Sequence, residues 1–174
     1  MLSAIVYTSD TGYTKQYAKL LAKTTGLPAY DLGSLVPPKL KGGRIIYMGP
    51  MMAGAIRGYK KAADAYRVRA VCAVGMRAPD DSVVNEVRQR HHIGEEREVF
   101  YLQGGLDIAK LKGFKKFIMR FVARQAVAQL SKLAQRTPGQ EAMLRLASEG
   151  GSCVCDENLA EVAAWFKGLG KTHA

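Results

Sequence analysis

Short apolar runs alternate with amphipathic stretches along most of the chain. Apolar runs of four to seven residues that stop at Gly, Pro or Asp are typical of buried strands. The stretches between them place apolar residues three and four positions apart, as Tyr17, Leu20 and Leu21 do, which is typical of helices. The pattern predicts strands at 2–7, 29–32, 44–48, 68–74 and 98–102, the third of them ending at Gly49-Pro50.

The predicted helices cover 16–22, 58–67, a stretch from Asp80 or Asp81 to about 92, and 158–169. Gly26 is placed to end the first helix, and either aspartate can cap the third. Strand and helix in regular alternation indicate a parallel sheet with helices on both faces. Right-handed crossovers then predict a doubly wound α/β fold, in one domain over residues 1–174.

The first predicted strand runs into a polar loop that directly precedes a helix, with the sequence Thr8, Ser9, Asp10, Thr11, Gly12, Tyr13, Thr14. A helix N-terminus exposes unpaired N–H groups and attracts anions, and hydroxyl groups add neutral donors. The loop has neither G-x-x-x-x-G-K-[ST] nor G-x-G-x-x-G, which argues against a nucleoside triphosphatase and a dinucleotide site. The pattern predicts a site for a small phosphate monoester, and simple helix capping is the alternative.

The run YTSDTGYT, followed by KQYAKLLAK, resembles the phosphate loop of flavodoxins, which holds the phosphate of FMN. The resemblance extends through all five strands and the C-terminal helix. It implies a flavodoxin-like five-stranded parallel sheet of order 2-1-3-4-5 with FMN as cofactor. The C-terminal third, on the stretch FYLQGGLDIAKLKGFKKFIMRFV, looks most like the flavodoxin-type, menaquinone-dependent protoporphyrinogen oxidases.

The resemblance also implies which residues bind the cofactor. The loop after the first strand would hold the phosphate, and the loops after the third and fourth strands would lie against the isoalloxazine ring. These positions are Thr8, Ser9, Asp10, Thr11, Gly12, Tyr13 and Thr14, then Pro50, Met51, Met52, Ala53 and Gly54, then Gly75, Met76, Arg77 and Ala78.

Two features of these loops depart from the flavodoxin pattern. Asp10 places a carboxylate in a loop meant for a dianion, so we expect it to point to solvent or to cap the helix. The ring loops lack the Trp or Tyr that many flavodoxins stack on the flavin. The methionines are then expected to pack there, with Tyr13 as an outer flank, although core packing is the alternative for each methionine.

No side chain is expected to be catalytic, because no Ser-His-Asp or Cys-His set is apparent and the flavin would supply the redox chemistry. His91 and His92 end a predicted helix and are expected to interact with its C-terminal dipole. The pair Cys153 and Cys155 has the wrong spacing for a CxxC site, so no metal is expected.

The net charge of +11 is concentrated between residues 108 and 136, which contain eight basic residues and no acidic one, leaving +3 elsewhere. Phe114, Phe117 and Phe121 lie on one apolar stripe there. The segment is either a surface helix packed on the sheet or an interfacial helix that binds anionic membrane through 110–136. Nucleic-acid binding is not expected, because such an arm needs no strongly apolar face.

The sequence therefore predicts an FMN-binding, flavodoxin-like redox protein whose partner is a redox protein or a quinone. The alternatives are a protoporphyrinogen oxidase-like, FMN-dependent oxidoreductase that passes electrons to quinone at the membrane surface, and a cofactor-free basic interaction module. Sparse cysteines, no apparent signal peptide and no apolar run of about 20 residues favour the cytoplasm. The interfacial interpretation would add contact with the inner face of the membrane.

Overall fold

The computed structural model describes residues 1–34, 36–106 and 150–169, and the isolated positions 124, 127, 128, 131, 141 and 144. Nearly all of the basic segment at 108–136 lies outside the described residues. Its association with membrane therefore stays a prediction. Among the described residues, no helix combines the length and apolarity that crossing a bilayer requires.

Five parallel strands form the body of the sheet. The spatial order is that of the second, first, third, fourth and fifth parallel strands, which is the flavodoxin-like doubly wound order. The predicted fold class is confirmed. In chain order the strands are β1 (Ala4–Tyr7), β2 (Ala29–Asp31), β3 (Arg44–Met52), β4 (Ala55–Ile56), β5 (Arg67–Gly75), β6 (Glu98–Gln103), β7 (Gly105–Leu106) and β8 (Gly151–Ser152), of which β4, β7 and β8 are short and antiparallel.

Helices cover both faces of this sheet. On one face, Tyr17 and Leu21 of the first helix and Val162 of the last join a buried cluster with Ile5 of β1. On the other face, the two middle helices contribute Tyr59, Ala62, Val83 and Val87 to a second cluster. The helices are α1 (Tyr13–Thr25), α2 (Tyr59–Ala65), α3 (Asp81–Arg90) and α4 (Ala160–Leu169), with 3-10 turns at Pro38–Leu40 and Glu157–Leu159.

The predicted ends of two helices are confirmed in atomic detail. Gly26 adopts a left-handed φ of 72° after α1 and donates its N–H to the carbonyl of Ala22. Asp80 caps α3, because its carboxylate accepts a hydrogen bond from the Val83 N–H at 2.8 Å. Both are standard helix-end chemistry that a sequence pattern can predict.

The third strand is longer than predicted, since Gly49 and Pro50 do not end it. β3 pairs with β5 as far as Pro50, then turns into a hairpin with β4. The Pro50 carbonyl accepts the Arg57 N–H at 3.0 Å, on the side where the ladder with β1 has already ended at Met48. The missing N–H of proline therefore breaks no strand pairing there. Glycine is needed at 49 because an added Cβ would overlap Ile56.

A buried polar network ties α1 to the strand end of β6 and to the chain that leads into α4. Tyr17 is fully buried, and its hydroxyl lies 2.5 Å from the Gln103 carbonyl oxygen. The Asn158 amide donates to the Tyr17 hydroxyl at 2.7 Å and to the Cys153 carbonyl at 2.8 Å. Burial raises the pKa of Tyr17, so the hydroxyl is protonated and can donate at neutral pH.

We predict that Tyr17→Phe lowers the free energy of unfolding by about 1–3 kcal/mol, because it leaves buried polar groups without their partner. Urea unfolding measures this loss. Tyr30→Phe is the matched control, since Tyr30 is half-buried and its hydroxyl makes no hydrogen bond with the described residues. Equal stability of the two variants would show that the network contributes nothing.

Candidate functional site

An open crevice lies at the carboxyl ends of the parallel strands, where ligands bind in folds of this type. It encloses about 550 Å³ of empty space, including solvent at its mouth. All three loops that the sequence singled out contribute to its walls, and Gly104 and Gly105, directly after β6, supply a further wall that was not among the predicted site residues. The lining residues are Asp10, Thr11, Tyr13, Thr14, Pro50, Met51, Met52, Val74, Gly75, Met76, Gly104 and Gly105.

The N-terminus of α1 opens into this crevice. Gly12 precedes the helix with a φ of 97°, a left-handed conformation that glycine adopts without strain, and a Cβ there would meet open space. Thr14 is only 2% exposed, yet its hydroxyl makes no hydrogen bond within the described part of the chain. A buried hydroxyl without a partner is costly, so Thr14 is suited to a ligand oxygen in the crevice.

Two of the predicted phosphate residues have structural partners instead. The Ser9 Oγ accepts a hydrogen bond from the Lys15 N–H at 3.3 Å, and so caps α1 from outside the helix. Thr8 does not line the crevice, and its hydroxyl lies 2.9 Å from that of Tyr47. Burial raises the pKa of Tyr47 to about 12, which keeps this contact uncharged. Thr11 and Thr14 therefore supply the hydroxyl groups at the crevice.

The Asp10 side chain is paired with Arg57 and is not directed to solvent. Both carboxylate oxygens lie 2.5 Å from one guanidinium nitrogen of Arg57, and the Asp10 side chain is 19% exposed. The cation neutralises the carboxylate at the edge of the anion-attracting helix terminus. Sequence reasoning missed Arg57 because 47 residues separate the two, and only the fold brings them together.

The second loop is a β-hairpin rather than an irregular loop. Its turn consists of Ala53 and Gly54, whose φ values of 49° and 76° match a type I′ turn. Met51 and Met52 lie in the strand before the turn and are half-buried at the crevice. Of the residues in this loop, Pro50, Met51 and Met52 line the crevice, and Ala53 and Gly54 do not.

His91 holds this hairpin in place. Its Nε2 accepts a hydrogen bond from the Ile56 N–H at 2.8 Å, and its ring packs edge-on against Tyr59 at 5.3 Å. Burial, with the charges of Arg90 and His92, lowers the pKa of His91. The ring is therefore a neutral acceptor: His91 lies at the C-terminal end of α3, as expected, and its side chain bonds the hairpin.

The third loop contributes Gly75 and Met76 to the crevice, whereas Arg77 is directed away. The Arg77 N–H donates to the Tyr101 hydroxyl at 3.0 Å, and its guanidinium donates to Glu86 of α3 at 2.9 Å. An added Cβ at Gly75 would overlap the Tyr101 hydroxyl, so the loop passes directly over this ring. Burial raises the pKa of Tyr101 to about 12, which leaves a neutral phenol beneath the loop.

Tyr13, which was expected to be an outer flank of the ring, forms part of the crevice wall. The residue is buried, and its hydroxyl donates to the Gly151 carbonyl at 2.8 Å. Gly105 packs against this ring, since a Cβ there would overlap both Tyr13 and Gly151. The neighbouring Gly104 donates its N–H to the Gly75 carbonyl at 2.7 Å. The glycine pair after the fifth parallel strand is the sequence signal of this wall.

The walls suit a ligand that is anionic at one end and flat and apolar over the rest. Met51, Met52, Met76 and Val74 provide apolar, polarizable surface. In the described ranges, no group of three or more His, Cys, Asp or Glu side chains could hold a metal ion.

Comparison with known proteins assigns this chain to no family. No protein-family model matches the sequence, and no curated protein matches it. A solved structure described as a flavodoxin, WrbA-like protein from Agrobacterium tumefaciens is similar at 16% identity and a TM-score of 0.42, over 58% of this chain and 82% of that one. A hypothetical protein of known structure is similar at 17% identity and a TM-score of 0.36, over 94% and 71%. Such remote likenesses assign no family. The fold assignment rests on the strand order itself.

We predict that stability depends on the protonation of His91. The unfolded chain binds this proton more tightly than the folded chain, because folding lowers the pKa. The contribution of His91 to the free energy of unfolding is therefore fully present above about pH 6.5, the ordinary histidine pKa, and is lost as the pH falls below that value. Urea unfolding at a series of pH values measures the loss.

His91→Gln is the matched variant, since its side-chain oxygen can accept the same N–H without titrating. The difference between wild type and this variant isolates His91 from the other two histidines. An identical dependence on pH in both proteins would contradict the assigned role of His91.

Proposed function

We propose that the protein binds FMN in this crevice and transfers electrons through the flavin. The observation that supports this most directly is the convergence of the α1 N-terminus, Thr11 and Thr14 with an apolar methionine wall at the point where the strand order reverses. This arrangement matches a phosphate monoester joined to a flat aromatic ring. Neither nucleoside triphosphate nor dinucleotide chemistry has the glycine pattern that it needs here.

The residues present fit the phosphate end. Within the described residues, the Gly12 and Thr14 N–H groups and the Thr14 hydroxyl make no hydrogen bond. Donors at a helix N-terminus also act with the helix dipole, so an oxyanion is favoured without a nearby lysine. The Asp10 carboxylate does not oppose this, because Arg57 neutralises it.

The residues present also fit the ring end. Met51 and Met52 on one side and Met76 on the other are half-buried, adaptable side chains that can pack against a flat ring. When bound, the flavin would supply reversible electron transfer, and the protein would orient it and limit its exposure to water. A redox partner protein or a quinone is the proposed electron-exchange partner.

We predict that Thr14→Val weakens FMN binding by about 1.5–3 kcal/mol, because it removes a hydrogen bond to a charged group. Riboflavin lacks the phosphate, so its affinity should be unchanged. Isothermal titration calorimetry with both ligands measures the difference. Thr24→Val, at the opposite end of α1, is the control and should bind FMN like wild type. Equal affinity of wild type for FMN and riboflavin would contradict the phosphate assignment.

We also predict that Met76→Trp changes the fluorescence and the reduction potential of bound flavin, because an indole ring would contact the isoalloxazine. Tyr66→Trp is the control, since Tyr66 follows α2 at the opposite end of the sheet. Fluorescence lifetime and spectroelectrochemistry provide the readouts. A flavin signal that responds to the Tyr66 variant and not to the Met76 variant would place the ring elsewhere.

A further inference from the structure

Arg57 lies behind the proposed phosphate site without lining it. The residue follows β4, and its N–H donates to the Pro50 carbonyl at 3.0 Å, while its own carbonyl accepts from the Tyr47 hydroxyl. The backbone is thereby held on both sides. The guanidinium reaches the phosphate loop and meets Asp10, which does line the crevice.

The ion pair has an electrostatic consequence for any anion at the N-terminus of α1. Asp10 lines the same crevice as Thr11 and Thr14, at the N-terminal end of α1. An uncompensated carboxylate at that position would repel a dianion strongly, because partly buried charges are poorly screened. With Arg57 in contact, the local charge is close to zero.

We propose that Arg57 is a positioning and specificity residue that acts through Asp10, setting the charge of the crevice so that it accepts a phosphate monoester dianion. This inference rests on the proposed function and deepens it. Arg57 need not touch the ligand. Its effect follows from cancelling the charge of Asp10, the one carboxylate among the described residues that line the crevice.

Four variants test whether Arg57 sets the charge of the crevice, by calorimetry with FMN and with riboflavin. Arg57→Met should weaken FMN binding by about tenfold or more, because the Asp10 carboxylate then lacks the charge of its Arg57 partner. Arg57→Lys keeps the charge and should bind FMN nearly like wild type. The double variant Asp10→Asn/Arg57→Met carries no charge at either position. Its FMN affinity should therefore return to within about threefold of the wild-type value. Riboflavin affinity should be similar in all variants. Lys60→Met, which breaks an exposed pair with Asp64 on α2, is the charge-loss control.

Salt dependence separates electrostatics from simple support of the loop. Added salt screens repulsion, so FMN affinity of Arg57→Met should rise toward wild type between low and high ionic strength. If Arg57 only supported the loop, Arg57→Met would weaken riboflavin binding as well, and adding Asp10→Asn would not restore FMN affinity. The proposal is overturned if Arg57→Met binds FMN like wild type, or if the double variant stays as weak as Arg57→Met.

Inorganic phosphate serves as a second probe, followed through the amide NMR shifts of residues 11–14. If phosphate binding follows the same order of variants while FMN does not bind wild type, the charge-setting role stands and the flavin function fails. If wild type binds neither, both fail. Should Arg57→Met not fold, Asp10→Asn alone decides: it must bind FMN at least as tightly as wild type, and weaker binding overturns the proposal.

Discussion

The burial of β1 between β2 and β3 is the constraint on which the site depends. Ile5 and Val6 are completely inaccessible, so the strand cannot shift without breaking both buried clusters. The chain moves through α1 from β1 to β2 on one side and through α2 from β3 to β5 on the other, so the strand order reverses beside β1 and a crevice opens there. The turn from β1 into α1 places the N-terminus of the helix at that crevice. The apolar packing of β1 thus fixes the position of the hydrogen-bond donors at the N-terminus of α1.

The walls of the crevice are joined to one another by contacts that lie behind them. Arg57 connects the hairpin to the first loop through Asp10, while Tyr47 contacts Thr8 from beneath. On the far side, the Tyr101 hydroxyl holds the third loop. The lining itself includes threonines, glycines and methionines, with Asp10 and Tyr13 at the α1 end. We infer that the supporting polar groups set the geometry and charge of the site, and that the lining groups provide the contact surface.

The sequence predicted the features that depend on local pattern. Strand and helix alternation, Gly26 and Asp80 at helix ends, and the polar loop before α1 all follow from chemistry within a few residues. Long-range partners could not be predicted in this way. Arg57 meets Asp10, and His91 meets Ile56, only because the fold brings distant segments together. Gly49-Pro50 misled the strand prediction for a related reason: the end of β1 made proline tolerable, and no local signal shows that.

We propose that one crevice holds both a phosphate, at the α1 N-terminus, and a flat ring, between the methionine walls. Amide chemical-shift mapping with FMN and then riboflavin tests it most directly. FMN should shift the amides of residues 11–15 together with those of 51–54 and 75–78, whereas riboflavin should shift only the last two groups. Shifts confined to the opposite end of the sheet, or identical maps for the two ligands, would contradict the account.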